Sequence, residues 1–305
     1  MRAIGAVCGA VPGWYMLLVE PSARKMTDVP PMRVHNGGAL MELDLNDFVQ
    51  RKHYARAYER RELRFVRSWC RNGDYVVDVG ANVGILTIAA AKRVGPRGAV
   101  LAIEPVPANV DRLTTNVALN HAVSIEVKAV AAGATGGFIS IGLSEWQNHV
   151  GNSGAFSLDG HTRAVQVPVK TIDELVSTDG NASRVRLLKI DVEGMERAVL
   201  EGATRSLCRT DAVLLEWNPT MATDAAALEI LRAGGFSLHR LAVGARLVDL
   251  NPIQHSHARS AEQVSGRWKS VLRWLRGDGR LVSIVAIRND SPENRRRETG
   301  HLRRR

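Results

Sequence analysis

The sequence predicts an α/β protein whose sheet is mostly parallel, with an antiparallel edge strand and a β-rich insertion. Between residues 30 and 290, short apolar runs alternate with longer stretches of helical periodicity, the pattern of repeated strand–helix–strand units. The chain has 305 residues, of which 45% are hydrophobic and 24% are charged. This composition excludes disordered, collagen-like and coiled-coil chains, and the length allows one such domain with appendages.

The first half of the domain follows this alternation closely. Asn72-Gly73 is a stop signal for the first helix, and Gly95-Pro96 closes a second, Ala-rich helix. The strands of this half are short and apolar throughout, as expected for strands that are buried on both faces. In chain order, the predicted elements are a helix over 54–74, a strand over 75–79, a helix over 85–94, a strand over 99–103, a helix after Glu104 and a strand over 124–131.

The composition and the apolar pattern of the chain change after residue 132. Residues 133–170 are rich in Gly, Ser and Asn and carry alternating apolar residues, which favours antiparallel hairpin strands around a loop. We expect this insertion to lie over the carboxyl edge of the sheet. The elements predicted beyond it are a strand over 185–190, a helix over 195–207, a strand over 211–215, a helix over 224–233 and an antiparallel edge strand over 281–287.

The chain is divided by these patterns into an N-terminal extension (1–53), a domain (54–290) and a disordered basic tail (291–305). The formal net charge is +10, but residues 295–305 hold six Arg and one Glu and so contribute +5 of it. A dense run of like charges usually stays solvated, so the charge alone does not indicate a nucleic-acid-binding protein. Residues 3–19 are uncharged but are interrupted by Pro12 and Gly13, so no stable membrane insertion is expected.

The cysteines are Cys8, Cys70 and Cys208, which lie far apart and form no CxxC pair. This pattern supports neither a disulfide framework nor a cysteine zinc site. A reducing compartment fits such a chain best, and we therefore expect a cytoplasmic protein. The sequence makes no prediction about its oligomeric state.

The sharpest motif is the run Asp-Val-Gly-Ala-Asn-Val-Gly at 78–84, where a buried strand turns into a helix. Ligands of open α/β sheets bind at such strand ends. Gly80 lets the backbone pass close to a ligand, Gly84 lets the helix start pack tightly, and the free N–H groups of the helix can bind an anionic group. The spacing is GxxxG rather than GxGxxG, so a dinucleotide pyrophosphate fits less well than a ligand without phosphate.

Two acidic residues flank this motif. Glu104 ends the next strand, where a carboxylate can accept both hydrogen bonds of a ribose diol; the alternative is an acid that only stabilises the start of a helix. Asp78 lies inside an apolar strand, and its alternative is a buried acid that only braces the turn.

A second cluster of charged residues follows the strand predicted over 185–190. Alternation along a strand directs Lys189, Asp191 and Glu193 to one side, and Glu216 occupies a similar position one strand later. Burying such groups is costly unless they pair or bind something. They are therefore candidates for catalysis, and the alternative is an internal brace that pairs Lys189 with Asp191, Glu193 or Glu216.

The sequence resembles the FkbM-type S-adenosylmethionine-dependent methyltransferases. The resemblance covers about residues 38–217, and several separate motifs match in the right order. These are Tyr58-Glu59, the 78–84 run, Glu104-Pro105 with Asn109, Leu113, Asn116 and Asn120 after it, Asn152-Ser153-Gly154, the 171–175 run and the 187–203 run. The resemblance implies a Rossmann-like class I methyltransferase fold, S-adenosylmethionine as cofactor, and methyl transfer to a hydroxyl of a sugar, glycolipid, polyketide or similar small molecule.

Carried over by position, the cofactor-binding residues would be Asp78, Gly80, Asn82 and Gly84 at the methionine end and Glu104 at the ribose. For the proton of the acceptor hydroxyl, Asp191 is our first choice of base. Glu193 and Glu216 are the alternates, with Lys189 beside them. Carboxylates suit Mg²⁺, but nothing in the sequence supports a metal site.

Other functions remain possible on the residues alone. A nicotinamide-dependent oxidoreductase shares the fold class, although the GxxxG spacing disfavours it. A nucleic-acid methyltransferase would need stacking groups for an extruded base, yet aromatic residues total 5%. A non-catalytic cofactor-binding protein is the third alternative, and it would be expected to lose the acidic residues at the strand ends. We expect a small-molecule acceptor and no nucleic acid.

Overall fold

A computed structural model describes residues 29–36, 38–54, 58–120, 124–143, 163–176, 184–217, 222–250 and 282–291. Its strands are β1 (Met32–Asn36), β2 (Ala39–Leu43), β3 (Tyr75–Val79), β4 (Ala99–Ile103), β5 (Ile125–Lys128), β6 (Ala131–Ala132), β7 (Gly137–Leu143), β8 (Arg163–Lys170), β9 (Leu187–Ile190), β10 (Ala212–Trp217), β11 (Phe236–Leu241), β12 (Leu247–Asp249) and β13 (Val282–Arg288). Its α-helices are α1 (Phe48–Tyr54), α2 (Arg60–Trp69), α3 (Ile85–Val94), α4 (Pro107–Ala118), α5 (Ile172–Leu175), α6 (Glu196–Glu201), α7 (Thr204–Cys208) and α8 (Ala222–Ala233).

The main sheet has eight strands in the order β12-β11-β13-β10-β9-β3-β4-β5. The five strands from β10 to β5 are mutually parallel. β13 runs antiparallel between β10 and β11, and β12 is antiparallel to β11 at the edge. Numbered by their order in the chain, the parallel strands run 3-2-1-4-5, which is the Rossmann-like order. The predicted fold, a mostly parallel sheet of the class I methyltransferase type, is confirmed.

The sheet separates two hydrophobic clusters because successive side chains of a strand point to opposite faces. In β3, Val76 belongs to the cluster that contains α2 and α3, whereas Val77 and Val79 belong to the cluster that contains α6, α7 and α8. All three valines are buried. Continuous apolar strands therefore reflect helices on both faces, as the sequence indicated.

The boundaries of β3, α3 and β4 agree with the prediction, whereas several other elements differ. The late apolar run was expected at the edge, but β13 is a central strand, since residues 284–287 are fully buried between β10 and β11. The antiparallel edge strand is β12 instead. The third strand ends at Lys128, and Ala131–Ala132 pair with β8 in a small separate sheet of order β6-β8-β7.

Two predicted helices differ in extent from those of the structure. The helix over 195–207 is interrupted at Gly202, where a Cβ would lie 2.0 Å from the carbonyl oxygen of Gly133. The helix over 54–74 is present as α2 over Arg60–Trp69; α1 ends at Tyr54, and a break before α2 includes Glu59 in a left-handed conformation with φ of 49°. Both breaks are set by tertiary contacts or local backbone geometry, which hydrophobic periodicity does not report.

The N-terminal hairpin of β1 and β2 packs on the domain rather than lying apart from it. Met41, Leu43 and Leu45 are buried in the same cluster as α2 and α3. Residues 29–53 thus share the domain's core. Residues 1–28, residues 144–162 of the predicted insertion and the basic tail from 292 lie outside the described residues. Within the described residues, no helix has both the length and the apolar character needed to cross a bilayer.

Candidate functional site

An open cavity of about 1040 Å³ lies at the carboxyl ends of the parallel strands, where the strand order reverses between β3 and β9. This is the position at which open α/β sheets bind ligands. The cavity is formed by the turn after β3, the end of β4, the end of β9, the α1–α2 region and the small sheet. Residues from these five parts are, respectively, Gly80 to Val83, Glu104 to Val106, Lys189 and Asp191 to Glu193, His53 with Tyr58 and Glu59, and Ile139 with Ile141.

Gly80 stands where the backbone after β3 meets the backbone after β9. Its φ is +74°, and a Cβ added there would lie 1.8 Å from the carbonyl oxygen of Asp191. Only glycine fits this approach. Gly84 precedes α3 with φ of +91°, and a Cβ there would lie 2.5 Å from Leu113 Cδ1. The two glycines of the motif therefore allow close packing on both sides of the turn; close approach of Gly80 to a ligand stays a prediction.

Asp78 lies below the turn rather than in the cavity. Its carboxylate is buried, accepts a hydrogen bond from Thr87 Oγ1 at 2.6 Å, and lies 3.3 Å from Lys189 Nζ. Asp78 does not belong to the described residues that line the cavity. These contacts favour the bracing role that the sequence left open for this residue.

Lys189 connects the two sequence motifs. Its ammonium group donates hydrogen bonds to the carbonyl oxygens of Gly80 at 2.7 Å and Val79 at 3.3 Å, and it lies 3.6 Å from Asp191 Oδ2. Burial alone would lower the pKa of Lys189, but the nearby carboxylates of Asp78, Asp191 and Glu59 raise it above its ordinary value. Lys189 is therefore a fixed cation that holds the turn after β3 against the end of β9.

Glu104 is buried and already accepts three hydrogen bonds from the protein. Oε2 accepts from the backbone N–H of Asn82 at 2.9 Å. Oε1 accepts from the backbone N–H of Val106 at 3.0 Å and from Asn109 Nδ2 at 3.1 Å. Burial raises the pKa of Glu104, and these three hydrogen bonds oppose the effect. Since each carboxylate oxygen has two lone pairs, one acceptor position on Oε2 is left among the described contacts.

Asp191, Glu193 and Glu216 bring their carboxyl oxygens within 4.8 Å of one another. Burial and then repulsion by Asp191 raise the pKa of Glu216, which forms a side-chain hydrogen bond with Asp191. Glu216 is absent from the described lining of the cavity, and the carboxylates that pair with Lys189 among the described residues are those of Asp78 and Asp191. Burial and the charges of Asp191 and Glu196 raise the pKa of Glu193 to about 7, although its side chain is exposed and water screens part of this repulsion.

His53 and Glu59 line the cavity, and the sequence did not single them out as site residues. His53 Nε2 lies 3.4 Å from Glu59 Oε2, and His53 Nδ1 is buried without a hydrogen-bond partner among the described residues. Burial, with the charges of Lys52 and Lys189, lowers the pKa of His53 to about 3. Burial also raises the pKa of Glu59 to about 8, against the opposing charge of Lys189. A neutral imidazole thus adjoins a carboxyl group that titrates near physiological pH.

The cavity contains three non-glycine residues in the left-handed conformation, Glu59, Asn82 and Glu193, with φ of 49°, 49° and 53°. Such conformations are costly for residues with a Cβ and occur often at functional sites. Asn82 Oδ1 is also buried and has no hydrogen-bond partner among the described residues. A buried acceptor of this kind is normally satisfied, so Asn82 and the open position on Glu104 fit a ligand that donates hydrogen bonds.

The chain is similar to known methyltransferases. A family model described as the methyltransferase FkbM domain matches residues 78–238. Methyltransferase 1 of Beauveria bassiana is 28% identical over 183 residues, covering 54% of this chain and 72% of that protein. Methyltransferase sdnD of Sordaria araneosa is 31% identical over 177 residues, covering 48% and 67%.

A more distant relative carries a substrate in its name. Hexuronic acid methyltransferase AglP of Haloferax volcanii is 28% identical over 160 residues, covering 52% of this chain and 62% of that protein. Among solved structures, precorrin-6y C5,15-methyltransferase from Geobacter metallireducens aligns with a TM-score of 0.41 at 14% identity, covering 75% of this chain and 88% of that one.

Proposed function

Because this chain belongs to the FkbM family of S-adenosylmethionine-dependent methyltransferases, we propose that it methylates a hydroxyl group of a small molecule. When bound, S-adenosylmethionine supplies an electrophilic methyl group on a positively charged sulfur.

The residues after β3 and β4 fit the cofactor. We propose that Gly80 and Asn82 contact its methionine end and that Glu104 accepts a hydrogen bond from its ribose. The buried, unpartnered Asn82 Oδ1 and the open acceptor position on Glu104 support these roles. Gly84 contributes by allowing α3 to start close to the turn, and Asp78 contributes from below by holding the turn through Lys189.

The charge of the cavity is the observation that carries the proposal of a hydroxyl acceptor. Glu59, Asp191 and Glu193 line the cavity, and among its described lining residues Lys189 is the one cation, already engaged by Asp78. A carboxylate acceptor placed here would be repelled by Asp191, and its charge would further oppose the ionisation of Glu59 and Glu193. A neutral hydroxyl can donate a hydrogen bond to a carboxylate and stay oriented for transfer.

We propose that Asp191 contacts the acceptor hydroxyl from the β9 side. Lys189 and Glu216 fix its carboxylate from two directions, and Glu193 lies at the exposed rim. Asp191 as the general base stays a prediction, although these two partners occupy part of its capacity to accept a proton. The same carboxyl cluster could hold Mg²⁺, but no observation beyond the cluster itself supports a metal there.

The name of one relative suggests which small acceptors to test first. The Haloferax relative is named for a hexuronic acid, a class of sugar with both hydroxyl and carboxylate groups. Sugars and similar polyols are therefore the acceptors that we would test first.

Incubation with S-adenosylmethionine carrying a deuterated methyl group tests this proposal. The acceptors would be a methyl hexoside, a hexuronic acid, a phenol and a matched amine, with products analysed by mass spectrometry before and after mild alkali. We expect a labelled ether that survives alkali, because an ether is not hydrolysed under conditions that cleave an ester. An alkali-labile ester from the hexuronic acid, or label on the amine alone, would contradict the hydroxyl assignment.

A further inference from the structure

The acidic groups around the cavity differ in how far their hydrogen-bonding capacity is already used. Asp78 is held by Thr87 and Lys189 and lies below the cavity. Glu104 accepts three hydrogen bonds. Asp191 lies between Lys189 and the side chain of Glu216. Each of these carboxylates already has hydrogen-bond or ion-pair partners that stabilise its charged form, and protonation would disrupt those contacts.

Glu59 is the contrasting case. Its side chain is 16% exposed and lines the cavity, and His53 Nε2 approaches its Oε2 at 3.4 Å. The left-handed backbone of Glu59, immediately before α2, directs this residue out of the helical path. A semi-buried carboxylate with one neutral partner has lone pairs available for a hydroxyl group.

We propose that Glu59 receives the proton that the acceptor hydroxyl loses during methyl transfer, and that His53 positions the Glu59 carboxylate for this step. The inference rests on the proposed function, since only an acceptor that carries a proton needs a base. It assigns to Glu59 the task for which the sequence favoured Asp191, and it leaves Asp191 as a contact that orients the hydroxyl.

The step balances in atoms and charge. The O–H bond of the acceptor breaks and its proton joins Glu59, while a bond forms between that oxygen and the methyl carbon as the carbon–sulfur bond breaks. The sulfonium becomes a neutral thioether and the carboxylate becomes a neutral carboxylic acid. A negative and a positive charge are therefore lost together in a partly desolvated cavity, where separated charges are most costly. The proton later leaves Glu59 for water.

The surroundings of Glu59 suit a base that works near neutral pH. Burial raises its pKa to about 8, the charge of Lys189 lowers it, and the negative charges of Asp191, Glu62 and Asp78 raise it. A general base is most effective when its pKa lies close to the working pH. The titratable and charged groups that face Glu59 from the neighbouring elements are His53, Tyr58, Glu62, Asp78, Lys189, Asp191 and Glu216.

His53 can position Glu59 without itself taking the proton. Burial keeps its imidazole neutral, so the tautomer with a proton on Nε2 can donate to Glu59 Oε2. The Tyr58 ring further restrains His53, since the two rings pack in a T-shaped arrangement with centroids 5.2 Å apart. His53 is therefore a positioning residue, and its loss should misplace the carboxylate rather than remove the base.

Steady-state kinetics over a range of pH test the proposal, using the hydroxyl acceptor that the wild type methylates fastest. In Glu59→Gln we expect kcat to fall by about 10²- to 10⁴-fold, with the dissociation constant of S-adenosylmethionine within about three-fold of wild type. The wild-type rise of kcat/KM with pH should disappear in this variant. Glu59→Asp should keep that rise at a lower kcat, and His53→Asn should lower kcat more than it changes KM.

Two comparison variants make the result specific. Glu62→Gln removes a carboxylate one turn along α2 and outside the cavity; we expect kcat within about two-fold of wild type and the rise of kcat/KM displaced to lower pH, because Glu62 is one of the charges that raise the pKa of Glu59. Asp191→Asn should retain the pH-dependent rise. If Asp191→Asn abolishes the rise and Glu59→Gln keeps it, Asp191 is the base and the inference is overturned.

An acceptor-free measurement separates failure of the inference from failure of the proposed function. Binding of the cationic cofactor should expel the proton from Glu59, which calorimetry near neutral pH detects as a heat that depends on the buffer's ionisation enthalpy. The wild type should release a proton and Glu59→Gln should release less. Equal release by the two proteins, or weaker cofactor binding with unchanged turnover in Glu59→Gln, overturns the assignment. Absence of transfer to any hydroxyl, with proton release retained, rejects the proposed function instead.

Discussion

The contacts of Glu104 combine the two roles that the sequence left as alternatives, which are stabilising the start of a helix and accepting a hydrogen bond from a ribose. Its Oε1 accepts hydrogen bonds from Val106 and Asn109 and so stabilises the start of α4. Its Oε2 supports the turn at Asn82 and keeps one acceptor position open. A ribose would therefore receive one charge-assisted hydrogen bond without disturbing these contacts, rather than the two that a free carboxylate could offer.

Glu104→Gln should weaken binding of S-adenosylmethionine by about 10- to 150-fold, since a hydrogen bond to a charged group contributes about 1.5 to 3 kcal/mol. The NH₂ group of the glutamine would also face one of the N–H groups that now donate to the carboxylate, so two donors would meet. Titration calorimetry measures the effect. Glu126→Gln, an exposed change on the neighbouring strand β5, should bind like the wild type, and equal affinity in both variants would exclude a cofactor role for Glu104.

The residues at the strand ends were accessible from the sequence, whereas those on the α1–α2 connection were not. Gly80, Glu104, Lys189 and Asp191 lie at the ends of buried apolar strands, so the parallel sheet itself predicts that they converge. All four line the cavity. Glu59 belongs to the Tyr58-Glu59 motif of the family resemblance, but nothing placed it at the cavity, because residues 54–74 have the periodicity of one continuous helix. Its left-handed backbone breaks that helix, and only the tertiary packing reveals the direction it takes.

Two asparagines at and just beyond the end of α4 join it to the N-terminal hairpin, beside an ion pair between Arg112 and Glu42. Asn116 accepts a hydrogen bond from the Glu42 N–H at 2.6 Å and donates one to the carbonyl oxygen of Val83 at 2.9 Å. Asn120 accepts from the N–H of Leu40 and donates to its carbonyl oxygen. Of these two asparagines, Asn116 is the one that joins the hairpin to the turn after β3, and this gives a physical reason for the asparagine at that motif position.

Asn116→Ala should lower the free energy of unfolding by about 2 to 4 kcal/mol, because it leaves a buried N–H and a buried C=O without partners. It should also weaken cofactor binding, since Val83 belongs to the turn that lines the cavity. Urea unfolding and calorimetry measure the two effects. Asn120→Ala is the matched variant: it should lose comparable stability with normal cofactor affinity, and a similar loss of affinity in both would show that the hairpin acts only through stability.

The helices and strands that depend most on local sequence pattern were predicted best. β3, α3 and β4 have the predicted bounds because apolar runs and glycine stops define them. The insertion was predicted as antiparallel strands, and β7 and β8 pair in that way. Its third strand, β6, was assigned to the main sheet, because two residues that switch from one sheet to another leave no trace in periodicity.

The charge of the whole chain is opposite to that of its cavity. The net charge is +10, yet the cavity concentrates carboxyl groups whose pKa is raised to about 8 for Glu59 and to about 7 for Glu193. A carboxyl with a raised pKa in the folded state binds its proton more tightly than in the unfolded chain. The stability it contributes is full below the unfolded pKa of 4.5 and is lost as pH rises through 7 to 8.

Glu59→Gln should therefore raise the melting temperature of the cofactor-free protein, and the gain should grow as the pH increases from about 5 to about 9. The amide cannot ionise, so it avoids the cost of a charged group in the cavity. Thermal unfolding at a series of pH values measures the difference. Glu201→Gln, which removes an exposed carboxylate paired with Arg197 on α6, should give a difference that does not vary with pH over this range; a flat profile for Glu59→Gln as well would contradict its raised pKa.

The central position of β13 also constrains how the chain can be made. β13 follows every other strand of the main sheet in the chain, yet it supplies the hydrogen bonds that join β10 to β11. While the ribosome is still synthesising the residues before 282, β10 and β11 each have an unpaired edge, and the α8 side of the molecule has no continuous sheet to pack on. Exposed strand edges of this kind template aggregation. The nascent protein is thus most vulnerable after its cofactor-binding half has emerged from the ribosome and before the closing strand has, an interval in which a chaperone that shields apolar strand edges would have the greatest effect on yield.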